Sequence, residues 1–280
     1  VDSLDKLELK KLNKELLIGS MEINKLEIEN QFILGFKTLK ILNKNEQEIF
    51  FKKFNLKNDL LKNNYGLIKS LANYFYKSAQ FEEALEYYKK LLKNSKKQFG
   101  GKDSNTSTVF NLIGNFYKHR NYNEAIKYLQ KSLDIILTLY GESHKNTASI
   151  FGDLGDVWNH KGDYDKAIDF FEKSLVIRLK LFGEQHNSTA ESYGGLGLAY
   201  SNKNEYEKSI EYYEKSLVIS LKVFGEQHDE VTTLYNNIGF VMRKKGEYNS
   251  CIKYFKKSLD IIIILYGSQH PITGIIYNNI

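Results

Sequence analysis

A chain of 280 residues with net charge +6, 42% hydrophobic and 26% charged residues has the composition of a folded polypeptide, not of a disordered or membrane-embedded one. The apolar run "IIIILY" at 261–266 falls far short of the ~20 residues that cross a bilayer, and one cysteine, Cys251, excludes a disulfide framework and a cysteine-based zinc site. A single proline, in segments rich in lysine, glutamate and leucine, points to helix throughout.

Residues 1–64 open with "VDSLDKLELKK", which lacks an apolar signal core and an initiator methionine, so an internal fragment of a longer cytosolic protein is expected. Leu4, Leu7, Leu12 and Leu16 suggest one amphipathic helix, and Phe50, Phe51, Phe54, Leu60 and Leu61 another. A divergent helical cap is the expected role of this segment, because a stack of helices must cover its first apolar face.

From residue 65 the chain repeats itself. "YGGLGLAYSNKNEYEKSIEYYEKSLVISLKVFGEQH" from Tyr193 returns from Phe151 and Tyr235 at a period of 42, with a further copy from Phe110 and a divergent one over 65–106. The units expected are 65–106, 107–147, 148–189, 190–231 and 232–273, with 274–280 beginning another, truncated one. In each first helix an apolar quartet falls at i, i+3, i+4 and i+7, as in Phe151, Leu154, Gly155 and Trp158. Glycine inside a helix costs ~1 kcal/mol against alanine, so its recurrence at 114, 155, 197 and 239 implies close approach by a second helix.

That second helix follows the "KGDY" turn, carries the stripe Tyr164, Ile168, Phe171, Leu175, Leu179 and Phe182, and ends at Gly183, a candidate left-handed residue. Small residues Ala84, Ala125, Ala167, Ser209 and Cys251 share the position where the helices should cross. Cys251 thus reads as a small core residue.

His144, His186, His228 and His270 close the looser or tighter copies of "FGEQH". Repeat-equivalent atoms lie at least ~8–10 Å apart in stacked helices. Ligands of one metal ion sit ~2 Å from it, so these histidines belong to the seam between units. His119 and His160 lie near first-helix ends and form no recognisable ligand set. No catalytic constellation, metal site or cofactor-binding loop is recognised; "YGGLG" at 193–197 lacks the strand and lysine of a phosphate loop. The lysine pairs alternate with glutamates instead of forming a stripe, which argues against nucleic acid as partner.

Phe151, Leu154-Gly155, Trp158, Ala167 and Phe171 follow the aromatic, Leu-Gly, aromatic, Ala and aromatic pattern of the tetratricopeptide repeat. The usual repeat has 34 residues; the extra length here is a second helix longer by about two turns. With "SLVIRLKLFGEQH" leading on to "YNNIG", residues 65–280 resemble the tetratricopeptide repeats of kinesin light chains. The resemblance implies an all-α, right-handed superhelical solenoid of antiparallel helix pairs, whose first helices line a concave groove. In kinesin light chains that groove takes short acidic peptides from cargo adaptors.

On that architecture the flank beside each apolar quartet turns inward. It selects Asn111, Asn115 and Lys118; Gly152, Asp156 and Asn159; Gly194, Leu198 and Ser201; Asn236, Phe240 and Arg243; and Asn278. Asparagine offers donor and acceptor to a peptide backbone, Lys118 and Arg243 attract carboxylates, and Leu198 with Phe240 accepts an apolar side chain. The resemblance supports Asn111, Asn236 and Asn278 as peptide-holding asparagines, whereas Gly152 and Gly194 depart from its pattern.

The expectation is a non-enzymatic scaffold binding a protein or a short extended, acidic peptide, without membrane. Two other readings stay open: a sensor or regulatory arm of a larger enzyme or signalling protein, and an RNA-binding helical repeat. Self-association through open solenoid ends is a further reading.

Overall fold

The computed structural model describes residues 65–279, all of it helix and connecting turns among those residues. The expected cap over 1–64 lies outside the described residues. The helices come in pairs: α1 (Tyr65–Lys77) with α2 (Phe81–Phe99), α3 (Ser104–Tyr117) with α4 (Tyr122–Tyr140), and α5 (Lys145–Lys161) with α6 (Tyr164–Phe182). Then follow α7 (Asn187–Asn202) with α8 (Tyr206–Phe224), α9 (Asp229–Lys245) with α10 (Tyr248–Tyr266), and α11 (Pro271–Tyr277).

The main packing from Lys69 onward joins helices adjacent in sequence, and α7 also touches α5 and α9. This is the neighbour-only contact pattern of a solenoid. Each first helix therefore packs on its own second helix and on that of the preceding pair.

The recurring glycine of α3, α5, α7 and α9 is where the second helix of the pair presses close. A methyl group placed on Gly155 would stand 2.8 Å from ring carbons of Phe171, and one on Gly239 2.7 Å from Phe255. Around these contacts lie fully buried Leu129, Leu154, Leu196, Ile238 and Phe255, each worth roughly 1.5–3 kcal/mol of burial. Cys251 is buried, and desolvation raises its thiol pKa, as befits a small core residue.

Serines stitch the pairs together through the core. Ser174, Ser216 and Ser258 donate to the carbonyls of Ala148, Ala190 and Thr232 at 2.8, 2.9 and 3.1 Å. Each carbonyl lies at the start of the partner first helix, so each second helix is fixed along its length as well as in depth.

Between pairs the histidines do what their seam position requires. Nδ1 of His144, His186, His228 and His270 accepts the backbone N–H two residues on, at 3.2, 3.0, 3.1 and 3.3 Å. Each is the N-cap of a first helix, meeting one of the orphan donors found at every helix start. Their rings stack on Tyr140, Phe182, Phe224 and Tyr266 of the helix before, 4.1–4.8 Å between centroids.

Gly183 has φ +79° and ψ −177°, an extended conformation with positive φ open essentially to glycine alone, instead of the left-handed helical one expected. Its carbonyl is free to accept the Thr189 hydroxyl at 2.8 Å, which closes the turn into α7. Gly162, within a pair, does take the left-handed helical conformation, with φ +87° and ψ 6°.

Candidate functional site

An open cleft of about 490 Å³ lies across three consecutive first helices, with second-helix side chains below. From α5 it takes Ser149, Gly152, Asp153 and Asp156; from α7, Glu191, Ser192, Gly194, Gly195 and Leu198. From α9 it takes Glu230, Thr233, Leu234 and Asn237, and its floor is Phe171, Arg178 and Tyr213. The face contributed by α5 and α7 is the same in the repeat, since 149, 152, 153 and 156 become 191, 194, 195 and 198 on adding 42.

The glycines give the cleft its depth. A methyl on Gly152 would meet nothing nearer than 3.8 Å and one on Gly194 nothing nearer than 3.6 Å, so bare backbone faces the opening there. Gly195 differs, because Phe171 fills the space beside it: a methyl there would stand 2.5 Å from the ring.

The electrostatics centre on one buried cation. Arg178 is 8% exposed and its Nη1 donates to the Ser188 carbonyl at 2.5 Å and to Ser192 Oγ at 3.1 Å. Glu191 approaches the same nitrogen at 3.2 Å. Burial pulls the guanidinium pKa below its ordinary value, while Glu191, Asp153 and Asp156 work against that pull and keep it charged. Four carboxylates line the cleft against this one lining cation.

On the other side, burial pushes the Asp153 carboxyl above the usual carboxylate range, and the amides of Asn111 and Asn115 hold it down. Asn111 Nδ2 donates to Asp153 at 2.6 Å and Asn115 Nδ2 to Asn111 at 3.0 Å, while Lys118 pairs with Asp156. Asn111, Asn115 and Lys118 therefore border the cleft through bonds to its wall and spend their donors on the chain itself.

The other groove candidates separate. Leu198 lines the cleft beside Gly194. Asn159 and Ser201, at one position in successive units, are 5% and 7% exposed, and Asn159 accepts the Asn202 amide at 3.1 Å. Neither belongs to the lining. Asn236 accepts the Asn279 amide at 3.2 Å, Phe240 meets Phe255 edge-on at 5.5 Å, and Arg243 stands over Phe240 at 4.5 Å. None of these three lines the cleft, and Asn278 is exposed at the end of α11.

His119 and His160 come together, 4.6 Å between ring centroids. Desolvation, His119 and Lys118 lower the His160 pKa. Among the described residues no three His, Cys, Asp or Glu side chains gather as metal ligands would, and no helix is long and apolar enough to cross a membrane.

Inspection of the flank alone misses Arg178, Asp153 and Asn237. Arg178 was marked in the sequence by being the one cation in a register held elsewhere by Ile136, Ser220 and Ile262.

Comparison with known proteins agrees with this architecture. The family model described as tetratricopeptide repeat matches residues 66–135, 115–175, 155–222 and 229–280. No curated protein sequence matched. Among solved structures, BtubC from P. vanneervenii is similar over 74% of this chain and 82% of its own, at 20% identity and TM-score 0.64. A putative kinesin light chain from Podosopora anserina, with nearly identical tetratricopeptide-like repeats, covers 71% of this chain and 95% of its own, at 16% identity and TM-score 0.60. A Rap protein complexed with competence and sporulation factor covers 91% of this chain and 74% of its own, at 15% identity and TM-score 0.63. At these identities the structures share the fold, and the family model spans most of the sequence: the chain is a member of the tetratricopeptide repeat family.

Proposed function

We propose that the chain is a non-catalytic scaffold that binds a protein or an extended peptide segment in the cleft across α5, α7 and α9. The observation that carries this reading is the cleft itself. It has bare backbone at Gly152 and Gly194, an apolar wall at Leu198, and an amide at Asn237. Such a surface can hold a main chain by hydrogen bonds and a side chain by burial. Because helices on both sides hold these groups in place, the partner bears most of the ordering entropy. The Rap protein among the structural neighbours was solved in complex with a factor, and a binding role here is in keeping with that. Four lining carboxylates disfavour RNA, whose phosphates need a basic track.

The test is affinity capture with the intact protein, read by mass spectrometry, beside a Thr233→Trp variant. Thr233 is exposed and lines the cleft, so the indole fills the opening without disturbing the core. The partners recovered by the parent protein should be lost with Thr233→Trp and kept by an Asn236→Ala/Arg243→Ala variant, which lies outside the lining. Full recovery through a blocked cleft would reject the assignment.

A further inference from the structure

Arg178 and Ser220 occupy one position in successive second helices, 42 residues apart. Phe171, Ser174 and Arg178 fall at i, i+3 and i+7 on the face of α6 beneath the first helices, and Tyr213, Ser216 and Ser220 repeat this on α8. The register is the same in both. Phe171 and Tyr213 line the cleft floor, and Ser174 and Ser216 bond the start of their own first helices.

The two positions are filled very differently. In the gap between α5 and α7 the Arg178 guanidinium occupies the space and takes up the Ser188 carbonyl, the Ser192 hydroxyl and the Glu191 carboxylate. In the next gap, between α7 and α9, Ser220 is 0% exposed and its hydroxyl has no hydrogen-bond partner. On α8 it holds the register position that Arg178 holds on α6. The cleft lining there carries Glu230, whose carboxylate pairs with no cation among the described residues, and the half-exposed Glu191, which pairs with Arg178 and also accepts the Asn187 amide at 3.3 Å. A buried hydroxyl without a partner at the register position of Arg178, and an unpaired carboxylate in the cleft lining, are both satisfied by an incoming donor with positive charge.

We propose that the gap between α7 and α9 is a subsite for a cationic side chain, an arginine in preference to a lysine, carried by the partner segment. It takes there the place that Arg178 takes one repeat earlier. The inference rests on the cleft being the binding surface and runs opposite to the acidic peptide expected from the kinesin light chain resemblance. The cations meant to attract such a peptide are engaged elsewhere, Lys118 with Asp156 and Arg243 over Phe240.

The probes are four acetylated and amidated octapeptides of one glycine, serine and leucine background, differing only in a central arginine, lysine, citrulline or glutamate. Binding is followed by titration calorimetry and by the amide resonances of Gly194 and Gly195. The arginine peptide should bind about tenfold or more tightly than the citrulline and glutamate peptides, a loss in keeping with removal of one partner from a desolvated charge pair. Ser220→Arg, which seats the chain's own guanidinium in the gap, should abolish that preference. Should Ser220→Arg fail to fold, Glu230→Gln, at the cleft wall, should reduce it several-fold with unchanged helical content. Equal affinity for arginine and citrulline peptides, or tighter binding of the glutamate peptide with Gly194 and Gly195 shifted, overturns the cationic subsite and leaves the cleft as the binding surface. Binding of all four without any shift at these glycines overturns both.

Discussion

The ring of Phe182 lies flat on the imidazole of His186, 4.4 Å between centroids and 18° from parallel, while Nδ1 of that imidazole accepts the backbone N–H of Ser188 at 3.0 Å. One side chain thus ends α6 and begins α7. Replacing His186 by alanine should cost about 1 kcal/mol, the usual worth of an N-cap, plus the stacking contact. His186→Asn should recover the cap but not the stack. Urea unfolding of the three proteins checks the order.

Two glycines three residues apart in α5 should respond with opposite signs. Gly155→Ala forces a methyl onto the buried Phe171 ring and should destabilise by about 1–2 kcal/mol, overpacking outweighing helix propensity. Gly152→Ala meets only ordinary contacts at 3.8 Å and should stabilise by about 0.5–1 kcal/mol. Denaturant midpoints of the two variants decide it.

The Asp153 carboxyl, held above its ordinary value of 3.8 by burial, favours protonation in the folded state. Its contribution to stability is therefore fully present at low pH and is lost as pH rises through the raised folded value. Asp153→Asn keeps an acceptor for Asn111 and removes the charge. The variant should be more stable than the parent at neutral pH, and the gap should close as the pH falls below the usual carboxylate range. Thermal melts across pH follow the difference.

Ser216→Ala removes a buried bond to the Ala190 carbonyl and should cost about 1 kcal/mol. Ser216→Val, which adds bulk beside Gly194, should cost more. Calorimetric melting of both proteins tests the ranking.

Much of this architecture was legible from the chain. Periodicity marked the helix pairs, the recurring glycine marked the close approach, and four histidines at one position marked the seam. All are local signals, because in an array of neighbours each residue's surroundings are set within about one repeat. The serines of "KSL" were equally visible at 132, 174, 216 and 258, but a small polar residue in an apolar stripe does not announce which carbonyl it serves.

The cleft was legible only in part. Position 152 and its equivalent 194 line it, as do 156 and 198, yet in α9 the lining moves to Thr233 and Asn237, leaving Asn236 and Phe240 aside. Which side of a helix looks inward depends on the rotation accumulated from unit to unit, and no single repeat encodes that sum. Asn159 follows the same logic, since at the end of α5 it is buried and holds the Asn202 amide of α7.

Lys161 reaches Asn123, Lys203 reaches Asp165 and Lys245 reaches Glu207, each across 38 residues to the preceding hairpin. These exposed ties brace the joints at one rim, while the cleft bridges two of the same joints at the hollow side. Under the proposed function, a guest touching α5, α7 and α9 at once would set the bend at both, so occupancy would work as a splint: the middle of a spring stiffened, and the turns beyond it held at a fixed pitch.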